Sequence, residues 1–98
     1  MTNIDKICND ALDIWGHDTQ MDIVIEELSE LIQAIIKHRR YPNEERAFDM
    51  AEELGDVCIM ISQLEISMKQ KYPDFTYWKD GSMQAKLNHI RLRLDDET

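Results

Sequence analysis

At 98 residues, 43% of them hydrophobic and 32% charged, the chain has room for one modest core and the make-up of a folded globular domain, which excludes extended disorder. A net charge of −9 argues against nucleic-acid backbones and anionic membranes as partners, although an anionic nucleotide is accessible when metal ions bridge the two. Cys8 and Cys58 form no CxxC pair, the opening MTNIDKICND does not resemble a signal peptide, and no apolar stretch approaches a membrane span, so one cytoplasmic domain over 1–98 is expected.

Helix formers dominate while Gly (3) and Pro (2) are scarce, which suits an all-α fold. A first helix is predicted over about residues 3 to 15, where Ile4, Ile7, Cys8, Ala11, Leu12 and Trp15 recur at helical spacing. Gly16-His17-Asp18 interrupts it, and Asp18 or Thr19 then caps a second helix to about Lys37. The basic run before Tyr41-Pro42 reads as that helix's end, and Asn43 followed by Glu44 and Glu45 as the start of a third, which continues to about Lys71. Tyr72-Pro73 stops it, residues 72–81 read as an aromatic-rich loop, and a fourth helix is predicted over about residues 82 to 94, with residues 94–98 as a fraying tail.

The second and third helices are the informative ones, at roughly 30 and 40 Å by a rise of 1.5 Å per residue. Ile23, Val24, Ile25, Leu28, Leu31, Ile32, Ile35 and Ile36 cover more than half the circumference of the second. Met50, Ala51, Leu54, Val57, Cys58, Ile59, Met60, Ile61 and Leu64 do the same for the third. One small monomer cannot cover such helices on several sides. A four-helix bundle completed by further copies of itself, as a homodimer or homotetramer, is the economical arrangement.

Acids interrupt these apolar faces. Glu27 and Glu30 in IEELSEL project about 60° apart, one turn from each other, and Glu53 and Asp56 in EELGD repeat the arrangement on the third helix. Each pair sits at the margin of a packing face, the wrong place for acids meant only for solvent. Brought together, these four carboxylates would repel and raise one another's pKa values unless divalent cations offset them. Oxygen donors without sulfur or imidazole favour Mg²⁺ or Mn²⁺ over zinc, and Mg²⁺ commonly completes its shell with water and substrate phosphate. A di-iron bundle needs Glu-x-x-His, and the residues three before His17, His38 and His89 are Ile14, Ile35 and Lys86.

Read together, Glu26-Glu27-Leu28-Ser29-Glu30 and Glu53-Leu54-Gly55-Asp56, with 22 residues between Glu30 and Glu53, resemble the EExxE…ExxD signature of the MazG-like all-α nucleoside triphosphate pyrophosphohydrolases. The likeness spans roughly residues 15 to 94 and looks closest to short single-domain members. It implies hydrolysis of a nucleoside triphosphate, a deoxynucleotide first, to monophosphate and pyrophosphate. It also implies Mg²⁺ held by Glu27, Glu30, Glu53 and Asp56, with attack of a metal-bound water on the α-phosphorus. Glu26 and Glu52 flank the signature, and either would orient or deprotonate that water.

The same resemblance points to Lys86, with Arg93 two turns later, as contacts for the triphosphate; charge balance with the acidic surface explains Arg93 equally well. It makes Trp15 a stacking surface for the base, against the alternative of a core residue, and Gln20 a hydrogen-bonding partner for the base or a mere turn cap. A phosphoribosyl-ATP pyrophosphatase would share the acids. From a different class, a non-catalytic helical interaction module would use the apolar faces and be indifferent to Mg²⁺.

Overall fold

A computed structural model of the chain describes residues 3–97. Among these are four α-helices and no strand: α1 (Asn3–Trp15), α2 (His17–Arg40), α3 (Glu44–Lys71) and α4 (Phe75–Glu97). The expected all-α class and the extents of α1 and α3 are borne out. The chain divides into two compact units, the first ending at Ser67 and the second beginning at Met68, so the last turn of α3 belongs with α4.

In the first unit, α1 and α2 are separated by Gly16 alone. Its φ of 88° and ψ of 160° lie in a region that only glycine occupies without strain. Its N–H still donates to the Leu12 carbonyl at 2.9 Å, and its own carbonyl accepts from the Gln20 N–H at 3.2 Å. One residue thus closes α1 and opens α2. The expected cap at Asp18 or Thr19 is corrected accordingly: α2 starts at His17, with no side-chain cap hydrogen bond. At its other end α2 outruns the expected Lys37 to Arg40, because four basic residues from Lys37 to Arg40 favour the negative end of the helix dipole.

After the short link of residues 41–43, the Asn43 side-chain oxygen accepts from the Arg46 N–H at 2.8 Å, the expected cap of α3. So brief a reversal lays α3 back along α2. The core between the helices is small: Cys8, Ala11 and Leu12 from α1, Val24 and Ala34 from α2, and Val57 from α3. Buried polar groups continue it. The Cys8 thiol donates to the Ile59 carbonyl at 3.9 Å, and His17 Nδ1 shares a hydrogen bond with the Ser67 hydroxyl, so the middle of α1 and the start of α2 are both tied to α3. Most of the apolar positions expected to be covered are not covered within one chain. Ile25 is 66% exposed, Ile32 58% and Leu54 51%.

In the second unit the expected loop over 72–81 is itself mostly helix. Only residues 72–74 turn; the Phe75 N–H donates to the Tyr72 carbonyl and the Trp78 N–H to the Asp74 carbonyl, opening α4 seven residues earlier than Ser82. The Tyr72 and Trp78 rings meet across this turn with centroids 6.5 Å apart. Asp80-Gly81, the end of the expected loop, lies inside α4, where a helical glycine costs only about 1 kcal/mol relative to alanine. The helix also continues through Glu97, so residues 94–97 of the expected frayed tail are helical, and Thr98 lies outside the described residues. No residue of α4 is buried; its stripe of Met83, Leu87, Ile90 and Leu94 is exposed.

Candidate functional site

Two turns of α2 and one of α3 each contribute an acid to the seam between the helices. Glu27 and Glu30, one turn apart on α2, meet Glu53 from α3, and an oxygen of each lies within 4.8 Å of the other two. All three are half-buried. Glu27 Oε2 and Glu53 Oε2 are shut off from solvent and have no hydrogen-bond partner among the described residues. Anionic oxygens left this way carry a desolvation penalty that nothing in the chain repays.

The titration behaviour follows from this crowding. Burial raises the Glu27 carboxyl above its ordinary range, and the charges of Glu30, Asp56, Glu53 and Glu26 push it further. Glu53 is raised too, first by burial, then by the charges of Glu30 and Asp56, by a hydrogen bond with Glu30, and by the charge of Glu52. Asp56 is exposed and stands outside the converging trio, yet it is near enough to act on both Glu27 and Glu53. An oxygen-only donor set with uncompensated negative charge is the kind of site that hard divalent cations satisfy.

Of the two flanking acids, both exposed, Glu52 reaches a cleft beside the cluster and Glu26 is not part of its wall. This cleft encloses about 280 Å³. Glu30, Gln33, Ala34 and Lys37 form its α2 wall; Arg46, Asp49, Glu52 and Glu53 form its α3 wall. Lys37 and Arg46 do not emerge from the sequence as site residues. The signal that would have found them is the helical period, since Glu30 and Lys37 stand seven residues apart on one face of α2, as Arg46 and Glu53 do on α3.

Gln20 is buried at 3% exposure, two turns before Glu27 on the same helix, and its Nε2 has no partner among the described residues. Trp15, at the end of α1, is 62% exposed, so it does not serve as a core residue within one chain. Lys86 and Arg93 are exposed on α4, in the second unit. Asn88, on the same helix, accepts a hydrogen bond from the Gln84 amide at 3.2 Å.

No curated protein and no solved structure matches this chain. A family model does: the MazG nucleotide pyrophosphohydrolase domain matches residues 15–78, close to two thirds of the sequence, and that stretch holds both acidic motifs and the whole seam they form. Three of the signature acids converge and the fourth lies within electrostatic reach, and the chain belongs to the MazG nucleotide pyrophosphohydrolase domain family.

Proposed function

We propose that the protein hydrolyses a nucleoside triphosphate, with deoxynucleotides as the first candidates, to the monophosphate and pyrophosphate in a Mg²⁺-dependent reaction. The observation that carries this reading is the pair of buried, unpartnered carboxylate oxygens on Glu27 and Glu53, facing Glu30 in a seam of like charge. Glu27, Glu30, Glu53 and Asp56 would hold Mg²⁺, with Mn²⁺ as a substitute. When bound, the metal offsets the charge of the phosphate oxygens and lowers the pKa of a coordinated water.

The chain's own groups then divide the remaining work. Glu52, at the cleft beside the cluster, is better situated than Glu26 to accept a proton from the attacking water. The water oxygen bonds to the α-phosphorus as the bond to the bridging oxygen breaks, and the electron pair leaves on pyrophosphate. The buried Gln20 amide offers a hydrogen-bond donor for the base, and the exposed Trp15 ring a stacking face. Lys86 and Arg93 are proposed as further phosphate contacts, on general charge complementarity.

Self-association belongs to the same reading. Each isoleucine or leucine side chain moved from full exposure into an interface contributes about 1.5–3 kcal/mol, and Ile25, Ile32, Ile36 and Leu54 offer a substantial apolar surface for a second copy. Among the described residues no helix is long and apolar enough to cross a membrane, so these residues do not form a membrane-spanning helix.

Incubation of the purified protein with each NTP and dNTP, with Mg²⁺ and separately with EDTA, tests the reaction. Monophosphate plus pyrophosphate, lost with EDTA, is the expected result. Diphosphate plus phosphate would place attack at the terminal phosphorus and overturn the proposal. Turnover confined to phosphoribosyl-ATP would redirect it to that substrate.

A further inference from the structure

The carboxylate cluster does not close the groove between α2 and α3. Toward the link at residues 41–43 the groove continues as the 280 Å³ cleft, and there its chemistry changes: Lys37 and Arg46 join Asp49 and Glu52 on the walls. Lys37 lies about 10 Å beyond Glu30 along the helix axis at 1.5 Å per residue. A cation in the last turn of α2 has an ordinary explanation in the helix dipole. The dipole does not account for Arg46, which stands in the first turn of α3, where positive charge is disfavoured. Neither cation forms an ion pair among the described residues, despite the four acids that share the walls; the Arg46 guanidinium lies 5.5 Å over the Tyr41 ring.

We infer that this cleft seats the diphosphate half of the substrate, the part that departs as pyrophosphate, with Lys37 and Arg46 as its protein contacts. The inference rests on the proposed pyrophosphohydrolase reaction and assigns a direction to the substrate within it. With the α-phosphorus at the carboxylate cluster, the anionic end extends toward Lys37 and Arg46, and the uncharged nucleoside extends the other way, toward Gln20. The electron pair of the breaking bond is delivered to the pyrophosphate oxygen, so negative charge accumulates where these two cations stand. The walls carry four carboxylates against two cations, so a bare diphosphate is disfavoured and its magnesium complex is the form that fits. The cleft has room for such a hydrated group, a single water's share of liquid volume being about 30 Å³.

Calorimetric titration of the full chain with magnesium pyrophosphate, for wild type, Lys37→Gln, Arg46→Gln and the control Arg40→Gln, tests the assignment, alongside pyrophosphate inhibition of turnover. Thermal melts establish that each variant folds. Lys37→Gln and Arg46→Gln are each expected to weaken magnesium pyrophosphate about tenfold, the scale of one lost hydrogen bond to a charged group, with Arg40→Gln unchanged. Inhibition by the nucleoside monophosphate should stay at the wild-type value in all of them. Turnover by wild type together with unaltered pyrophosphate affinity in both cleft variants overturns this subsite and leaves the reaction standing. Absence of pyrophosphohydrolysis in wild type overturns the reaction instead. The calorimetry then still decides the cleft: binding that the two variants lose supports it, and no binding refutes it.

Discussion

If the buried oxygens of Glu27 and Glu53 await a divalent cation, Mg²⁺ must stabilise the fold, and Glu53→Gln must remove that response. Metal bound to the folded state alone stabilises by RT ln(1 + [L]/Kd), about 1.4 kcal/mol at a free concentration tenfold above Kd. In a domain of this size 1 kcal/mol moves Tm by about 4–8 °C, so a rise of roughly 6–11 °C is expected for wild type. Glu53→Gln keeps the side-chain volume but deletes a charge that Glu30, Asp56 and Glu52 all oppose. Without metal the variant should therefore melt above wild type, and with Mg²⁺ it should barely move. Scanning calorimetry of both proteins in EDTA, in MgCl₂ and in NaCl at matched ionic strength separates site binding from screening. Equal shifts in wild type and variant, or a wild type that responds to NaCl as it does to Mg²⁺, would refute the metal assignment.

The pH dependence has a definite sign. Glu27 and Glu53 titrate above their unfolded values, so the folded state holds more protons than the unfolded state between the two. Their destabilising effect is fully present above the folded pKa and is relieved as pH falls through it. Metal-free Tm should thus gain on mild acidification from these two groups, and Mg²⁺ should flatten or reverse that slope; melts across pH in EDTA and in Mg²⁺ check this, and parallel slopes would contradict it. Glu53→Gln and Asp56→Asn should each lower kcat at least about a hundredfold while circular dichroism stays native, beyond the tenfold to hundredfold typical of merely supporting partners. Gly16→Ala should destabilise by about 1–3 kcal/mol in urea titration, because the backbone there is confined to glycine although space for a Cβ is open. Gly81→Ala, helical and equally open, should instead stabilise by up to about 1 kcal/mol.

Those two glycines also show where sequence signals succeed and fail. Gly16 breaks the helical run because its conformation is one that side chains resist, and the break was legible. Gly81 looks the same in one dimension, yet it adopts ordinary helical geometry. Its small propensity cost is outweighed once Asp74 supplies the opening carbonyl and Tyr72 meets Trp78 across the turn. Likewise the ends of α2 differ from the expected ones because dipole and turn signals mark a region rather than a residue, whereas the Asn43 side chain marks one atom-to-atom contact and caps α3 as expected.

The site divides along the same physical line. Acids at the margin of an apolar helical face conflict with their surroundings, and a conflict of that kind is visible in a single sequence; Glu27, Glu30 and Glu53 converge as their spacing implies. Lys37 presents no such conflict, since a basic residue in the last turn of a helix is satisfied by the dipole, and Arg46 stands against the dipole but on a polar first turn rather than an apolar face. Periodicity puts each on the same face as a signature acid, and what distinguishes them is that the pairing of the two helices brings both faces to one cleft beside the cluster. The signature therefore names the residues that concentrate charge, and the packing names those that would receive it. A substrate with its negative charge at one end and an uncharged base at the other fits the order in which Gln20, the acids and the cleft of Lys37 and Arg46 follow one another along the seam. That polarity is what makes the order of binding groups along the seam testable by substitution at its two ends.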